Sequence, residues 1–384
     1  MDKHQHGGNV VSAAARFGID PGAFVDFSVN TNPLGPPTGI AGLLQESMTL
    51  AALYPEPDCG ALRSAAAAFY GVIPEQVIAA NGAVELIYLL AQVLRPRTAL
   101  IPGPTFKEYE IACRLWGASA VKHFRLPPRQ GFLPGLPQLI RATRGVDLVW
   151  LCNPNNPTGS LTPPEVMQPF LEHCRERQIF LVVDESFLLF HPRWRQLTCI
   201  KEAAAAGGVL VLQSLTKFYG IPGLRIGCGI GSAEVISRLS RYQPPWHVNG
   251  LAQAAAGVAF EDGEYARRTV SLVRRERRFL ASSLAELRLV RKAYPSAANF
   301  LLLELQPPVT APDVWEQLAR RGVLVRDCSN FGWLGDRFIR VAVKDRARNM
   351  LLLERLKAVD EAYTETCAPH SFRPGVSPDA ADEE

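Results

Sequence analysis

The sequence predicts an α/β protein: a mostly parallel sheet covered by helices on both faces, followed by a smaller α/β unit. Two observations carry this expectation. Between Val77 and Ile230, apolar segments of four to six residues alternate with stretches of helical periodicity, and several of those segments have no polar face. After Gly231 the texture changes to longer, more charged helices with two further apolar segments. The chain has 384 residues, 47% hydrophobic and 20% charged, which suffices for a large core without disulfide staples. A net charge of +4, from 41 basic and 37 acidic residues, is too small to indicate a nucleic-acid partner. No apolar run approaches the ~20 residues needed to cross a bilayer. Met1 to Val11 is polar and lacks the basic start and apolar stretch of a signal peptide. Secreted, membrane and disordered proteins are therefore disfavoured. The eight cysteines form no C-x-x-C pair and no zinc-like spacing with histidine. Free thiols in a reducing cytoplasm are expected.

The elements follow in order. Residues 1–35 read as irregular, rich in Gly, Asn and Pro, with Asp26-Phe27-Ser28-Val29-Asn30-Thr31-Asn32 placing side-chain hydrogen-bonders beside a turn. Residues 36–260 form the large domain. Leu62–Tyr70 reads as a helix with Gly71 at its C-terminal cap. Val77–Ala80 reads as a strand leading through Asn81-Gly82-Ala83 into the helix Val84–Leu94. Strands are expected at Ala99–Pro102, Ala120–Phe124, Asp147–Cys152, Ile179–Asp184, Val209–Gln213 and Arg225–Ile230. Phe106–Trp116 and Pro163–Arg177 are expected as helices between them. Residues 261–366 form the smaller domain. It opens with the long helix Tyr265–Leu287 and carries strands Phe300–Leu305 and Phe338–Val343 with helices Trp315–Arg321 and Arg346–Ala362. Residues 367–384 read as a disordered tail.

Three motifs carry chemistry, each at the end of an expected strand, where open α/β sheets collect ligands. Ser214-Leu215-Thr216-Lys217 through Gly223-Leu224-Arg225 places a lysine among hydroxyls and glycines instead of other charges. A pocketed lysine loses its proton readily and condenses with an aldehyde, while Ser214, Thr216 and Arg225 suit a phosphate. The plain alternative is a solvated loop lysine. Asp184, in Val182-Val183-Asp184-Glu185-Ser186-Phe187, ends an apolar strand, where a protonated ring nitrogen would justify a carboxylate. Capping of the next segment is the other reading of Asp184. Asn153-Pro154-Asn155-Asn156-Pro157-Thr158-Gly159 is a turn whose position makes Asn156 a candidate ring contact. Gly227-Cys228-Gly229-Ile230-Gly231 lies along a strand and lacks the context of a dinucleotide fingerprint. Glu185 is expected to point away from the site.

In order and spacing, over residues 20–362, these motifs resemble the fold-type I pyridoxal-phosphate enzymes of the aspartate aminotransferase superfamily. The resemblance implies a large domain with a mostly parallel seven-stranded sheet. It makes Lys217 the catalytic, cofactor-bonding lysine, Asp184 the pyridinium partner and Asn156 a contact of the ring oxygen. Gly82, Ala83 and Val84 resemble the family's phosphate-binding turn at a helix N-terminus, and Phe106 the aromatic that stacks on the ring. Tyr54 matches a tyrosine that reaches the phosphate of a neighbouring subunit, implying a homodimer. Phe187 departs from the tyrosine of many relatives, which removes one hydrogen bond to the ring oxygen.

Within the superfamily, His6-Gly7-Gly8-Asn9 and Asn30-Thr31-Asn32-Pro33-Leu34-Gly35 resemble the threonine-phosphate decarboxylases. By that resemblance His6, Gly7, Asn30, Asn156, Arg326 and Arg340 line the substrate site. Two arginines can each hold a carboxylate or phosphate through paired donors, which suits a small phosphorylated amino acid. The plain alternative for each arginine is solvent exposure or a salt bridge to Asp327 or Asp336. The resemblance implies decarboxylation of O-phospho-L-threonine to (R)-1-amino-2-propanol O-2-phosphate, for the nucleotide-loop linker of cobalamin. O-phospho-L-serine decarboxylation and histidinol-phosphate aminotransfer are the rival activities. A pyridoxal-phosphate-binding regulator is disfavoured because no segment remains to hold a DNA-binding domain.

Overall fold

A computed structural model of the chain describes residues 7–46 and 48–367. His6 and residues 368–384, from the proposed tail, lie outside the described residues. Thirteen strands are formed among those described: β1 (Val25–Asp26), β2 (Val77–Ala80), β3 (Thr98–Gly103), β4 (Ala120–Arg125), β5 (Leu148–Cys152), β6 (Phe180–Asp184), β7 (Val209–Ser214), β8 (Gly227–Gly231), β9 (Val290–Ala293), β10 (Phe300–Leu305), β11 (Val323–Leu324), β12 (Arg326–Asp327) and β13 (Phe338–Ala342). Seven of them form one sheet in the order β2-β8-β7-β6-β5-β3-β4. The pairs from β7 through β6, β5 and β3 to β4 are all parallel, whereas β8 runs antiparallel to both β7 and β2.

The apolar strands are continuous because both faces of this sheet are covered. Val149, Leu151, Leu181, Val183, Val209 and Val211 face one core; Leu148, Trp150, Val182, Leu210 and Leu212 face the other. Alternation along the strand is thus present, but both sets of positions are apolar. The same alternation turns Asp184 and Glu185 to opposite faces. The glycines of β8 are explained by crowding: a Cβ at Gly227 would lie 2.6 Å from the amide nitrogen of Ala83. Glycine here lets the N-terminus of the Ala83–Leu94 helix sit directly on the sheet.

A second, antiparallel sheet has the order β12-β13-β10-β9. One face packs on the end of the long helix Gly263–Ala285 and on the helices Ala311–Ala319 and Arg346–Cys367. The other packs on Leu126 and Phe132 from the large sheet's side of the molecule.

The N-terminal expectation is corrected in part. Val10–Phe17 is a helix, closed at Gly18 in the left-handed region, with an amphipathic pattern short enough to pass for irregular chain. It packs on the small lobe through Ala13 against Ala319 and Leu324, and through the 2.7 Å Arg16–Glu316 ion pair. β1 pairs in parallel with β11, and fully buried Phe27 joins the small-lobe core. Thr38–Glu46 is a further helix that the sequence reading did not assign.

Candidate active site

The carboxyl ends of β3, β5, β6 and β7 and the N-terminus of the Ala83–Leu94 helix meet at one cavity of about 430 Å³. Its lining includes Gly7, Asn30, Ala83, Val84, Phe106, Asn156, Asp184, Ser214, Thr216, Lys217, Arg225, Arg326 and Arg340. Expected residues from stretches scattered between Gly7 and Arg340 therefore line one cavity. Gly82 adjoins the cavity at φ +86°, a left-handed conformation, and a Cβ there would meet the Arg225 guanidinium at 2.5 Å. Only glycine serves at that position. Tyr54 lies elsewhere, 83% exposed and packed on Trp246 at a centroid distance of 4.9 Å.

Lys217 sits on the single helical turn Leu215–Phe218 that follows β7. Its ammonium has no hydrogen-bond or ion-pair partner among the described residues. Burial brings the amine down from 10.5 to about 8, helped by the Arg225 and Arg340 charges and opposed by Asp184. Its backbone is held by Asn32, which the sequence reading left without a role. The Asn32 amide donates to the Lys217 carbonyl at 3.0 Å, and its side chain donates to Phe218 O at 2.6 Å and Thr269 Oγ1 at 2.8 Å.

Asp184 is 6% exposed. Its Oδ1 accepts from the Ser186 amide at 3.0 Å, so the capping reading holds for one oxygen. Its Oδ2 accepts from the Tyr109 hydroxyl at 2.6 Å. Tyr109 is fully buried, stacked on Trp150 at 5.1 Å, and meets Phe106 edge-on at 5.7 Å. Burial, with Asp184 beside it, raises the Tyr109 phenol well above its ordinary value, so it stays a donor. Tyr109 had no motif to mark it. Its only signal was a polar-tipped aromatic on the inner face of the helix after Phe106. Glu185 does point away: it is fully buried on the opposite face, accepting from Thr198 Oγ1 at 2.6 Å, Cys199 N at 2.7 Å and Gln213 Nε2 at 3.0 Å.

The two arginines come from the second sheet, on paired residues of β12 and β13. They are 7% and 6% exposed, and neither has a carboxylate partner among the described residues, so neither plain alternative holds. Arg326 donates to Asn330 Oδ1 at 2.8 Å and lies over Phe331. Arg340 donates to Asn156 Oδ1 and, at 2.8 Å, to Ser28 O. With its amide oxygen turned to the guanidinium, Asn30 accepts from Nη1 at 3.1 Å and Nη2 at 3.2 Å. Arg340 also lies 5.1 Å over the Phe300 ring, whose edge contact with Phe187 accounts for an aromatic at 187. Burial lowers Arg340 to about 10, which leaves it charged at neutral pH. Every hydrogen-bond partner named is neutral; Asp327 near Arg326 and Asp26 near Arg340 act only through the field, without an ion pair among the described residues.

The donor set fits pyridoxal phosphate: a partnerless buried amine, a carboxylate for the ring nitrogen, and a helix N-terminus with Ser214, Thr216 and Arg225 beside it for the phosphate.

Comparison with known proteins agrees. The family Aminotransferase class I and II matches residues 23–356. A threonine-phosphate decarboxylase of Salmonella typhimurium is 35% identical over 355 residues, covering 92% of this chain and 96% of that protein. A histidinol-phosphate aminotransferase of Moorella thermoacetica is 32% identical, covering 87% of this chain and 85% of that one. Among solved structures, L-threonine-O-3-phosphate decarboxylase from Porphyromonas gingivalis superposes with a TM-score of 0.78 at 28% identity, covering 88% of this chain and 99% of that one. Motif order, sheet topology and these matches together place the chain in the class I and II aminotransferase family.

Proposed function

We propose that this chain is a pyridoxal-phosphate-dependent decarboxylase. It converts O-phospho-L-threonine to (R)-1-amino-2-propanol O-2-phosphate, the product that the resemblance ties to cobalamin biosynthesis. The observation that carries this reading is the pair Arg326 and Arg340: two buried guanidiniums without carboxylate partners, in the cavity that also holds Lys217 and Asp184. A substrate with a carboxylate and a dianionic phosphate matches two such forks. Hydrogen bonds to charged groups contribute about 1.5–3 kcal/mol each, so the pair supplies much of the binding.

Bound here, the cofactor supplies an electron sink for the bond that breaks at the substrate's Cα. The protein's part is orientation. Ala83, Val84, Ser214, Thr216 and Arg225 would hold the cofactor phosphate, Phe106 would cover the ring and Asp184 would keep the proton on its nitrogen. Tyr109 keeps the Asp184 carboxylate in that position. Asn156, whose oxygen is occupied by Arg340, offers its amide N–H to the ring oxygen. Clamping phosphate and carboxylate on Arg326 and Arg340, with Asn30 and Gly7 beside them, would orient the Cα bond that breaks; His6 remains an expected substrate contact outside the described residues. Lys217, with its amine near neutrality, returns a proton to Cα after carbon dioxide leaves.

Tyr54, Leu53 and Trp246 expose a contiguous apolar surface, which supports a homodimer in which Tyr54 reaches the partner's phosphate site. Seven described cysteines are buried free thiols, which supports a cytoplasmic location. No helix among the described residues is long and apolar enough to cross a membrane.

The test is a product assay on the purified holoenzyme with O-phospho-L-threonine and no keto acid. Carbon dioxide and aminopropanol phosphate are the expected products, with O-phospho-L-serine run in parallel to rank the substrates. Glutamate formed from histidinol phosphate and 2-oxoglutarate, with no carbon dioxide, would sink the decarboxylase reading.

A further inference from the structure

Ser28 has been placed so far only as an acceptor for Arg340, yet it makes four hydrogen bonds on the substrate side. It is 5% exposed, and each of its polar groups is engaged. Its amide and hydroxyl both donate to Asp26 Oδ1, at 2.7 and 2.6 Å. Its hydroxyl oxygen accepts from the Gly8 amide at 2.8 Å. Its carbonyl accepts from Arg340 Nη2 at 2.8 Å. Asp26 in turn lies on β1, paired with Leu324 two residues before Arg326. The stretch Gly7–Gly8 fits against Ser28 without room for a side chain: a Cβ at Gly7 would lie 2.6 Å from Ser28 O and 2.9 Å from its Oγ. Gly7 and Ser28 both line the main cavity, and both also line a second hollow of about 360 Å³ behind it, which shares Arg326. The Gly7–Ser28 contact is therefore part of the partition between the two hollows.

We propose that Ser28 is a positioning residue that fastens the Gly7–Gly8 segment across the site and sets the direction of Arg340. The inference rests on the reading of Arg340 as a substrate anion clamp. A hydroxyl is required because one atom must both donate to Asp26 and accept from Gly8; alanine does neither, and a carboxylate would quench Arg340. Loss of the hydroxyl frees the Gly7–Gly8 segment and loosens the guanidinium. The consequence falls on substrate binding and leaves cofactor attachment intact, since Lys217 and Asp184 are held by other partners.

The experiment compares the full-length holoenzyme with Ser28→Ala, Ser28→Thr and Gly7→Ala. Ser28→Ala should raise the KM for O-phospho-L-threonine about tenfold, the expected cost of one or two lost hydrogen bonds, with a much smaller fall in kcat. Hydrogen exchange at the Gly8 amide should quicken by a similar factor, while the visible absorbance of bound cofactor stays the same. Ser28→Thr, which keeps the hydroxyl, should restore amide protection. Gly7→Ala should raise KM in the same direction through the clash alone, and it serves as the second test if Ser28→Ala does not fold. Unchanged KM or unchanged Gly8 exchange in the folded variant overturns the proposal. So does a fall in kcat with KM constant. If the wild-type protein does not turn over O-phospho-L-threonine, the functional reading fails separately. Gly8 exchange and the Kd for inorganic phosphate then decide the role of Ser28: both must change in Ser28→Ala for it to stand.

Discussion

The cavity has two unlike walls. The cofactor wall is built from strand ends of one covered sheet, and its key groups lie within a few residues of apolar segments: Asp184 at the end of β6, Lys217 one turn beyond β7. The substrate wall is assembled from pieces remote in sequence: Ser28 and Asn30 from the N-terminal region, Asn156 from the large sheet, and Arg326 and Arg340 from the small one. The first is rigid because its backbone is hydrogen-bonded on both sides in a packed core. The second is held by side-chain hydrogen bonds, mostly from charged guanidiniums to neutral oxygens, each contributing about 1.5–3 kcal/mol. Conserving a fold's cofactor chemistry while varying its substrate is easier when the two tasks rest on such different supports.

Substitutions on the two walls should separate accordingly. The largest effect is expected from Lys217→Ala, which should cut turnover by about a thousandfold or more and abolish the absorbance of covalently held cofactor. Steady turnover in that variant would remove the cofactor wall from the chemistry. Arg340→Lys keeps the charge but loses the planar fork. KM should rise by roughly ten- to a hundredfold, with cofactor affinity unchanged in an equilibrium titration. Tyr109→Phe keeps the stacking on Trp150 but deletes the hydrogen bond to Asp184. A fall of about tenfold in kcat is expected, with KM nearly constant, the mirror image of the arginine result. Equal changes in both parameters for both variants would erase the contrast between the walls.

The smallest effect on activity is expected from Glu185→Gln, which instead reports on stability. Burial pushes Glu185 up from 4.5 to about 8. Between these values the folded protein binds the proton and the unfolded chain does not, so stability declines as pH rises from 4.5 towards 8. Denaturant titrations at pH 5 and pH 8 should show wild type losing up to roughly 4 kcal/mol relative to Glu185→Gln across that window.

The cofactor wall was legible in the sequence because its signals are local. A lysine among hydroxyls, a carboxylate closing an apolar strand and an Asn-Pro turn each read as anomalies within a dozen residues. All three line one cavity. Arg326 and Arg340 were reached only through resemblance, since an arginine in an Arg-rich chain announces nothing until its burial and missing counterion are known. Tyr109, Asn32 and Ser28 escaped for a related reason: their partners lie 75, 237 and 312 residues away. The Val10–Phe17 helix was missed because eight residues give barely two turns of periodicity, and its stability comes from the lobe it packs on.

The stretch from Phe27 to Asn32 touches both walls within six residues. Phe27 is buried in the small-lobe core, and its carbonyl accepts from Ala342 N at 2.9 Å; the Asn30 carbonyl accepts from Asn299; Asn32 holds the Lys217 carbonyl. Such a short tether acts as a mechanical linkage. Six residues span at most about 20 Å when extended, so the small-lobe core and the turn that carries the lysine are tied within that reach of each other.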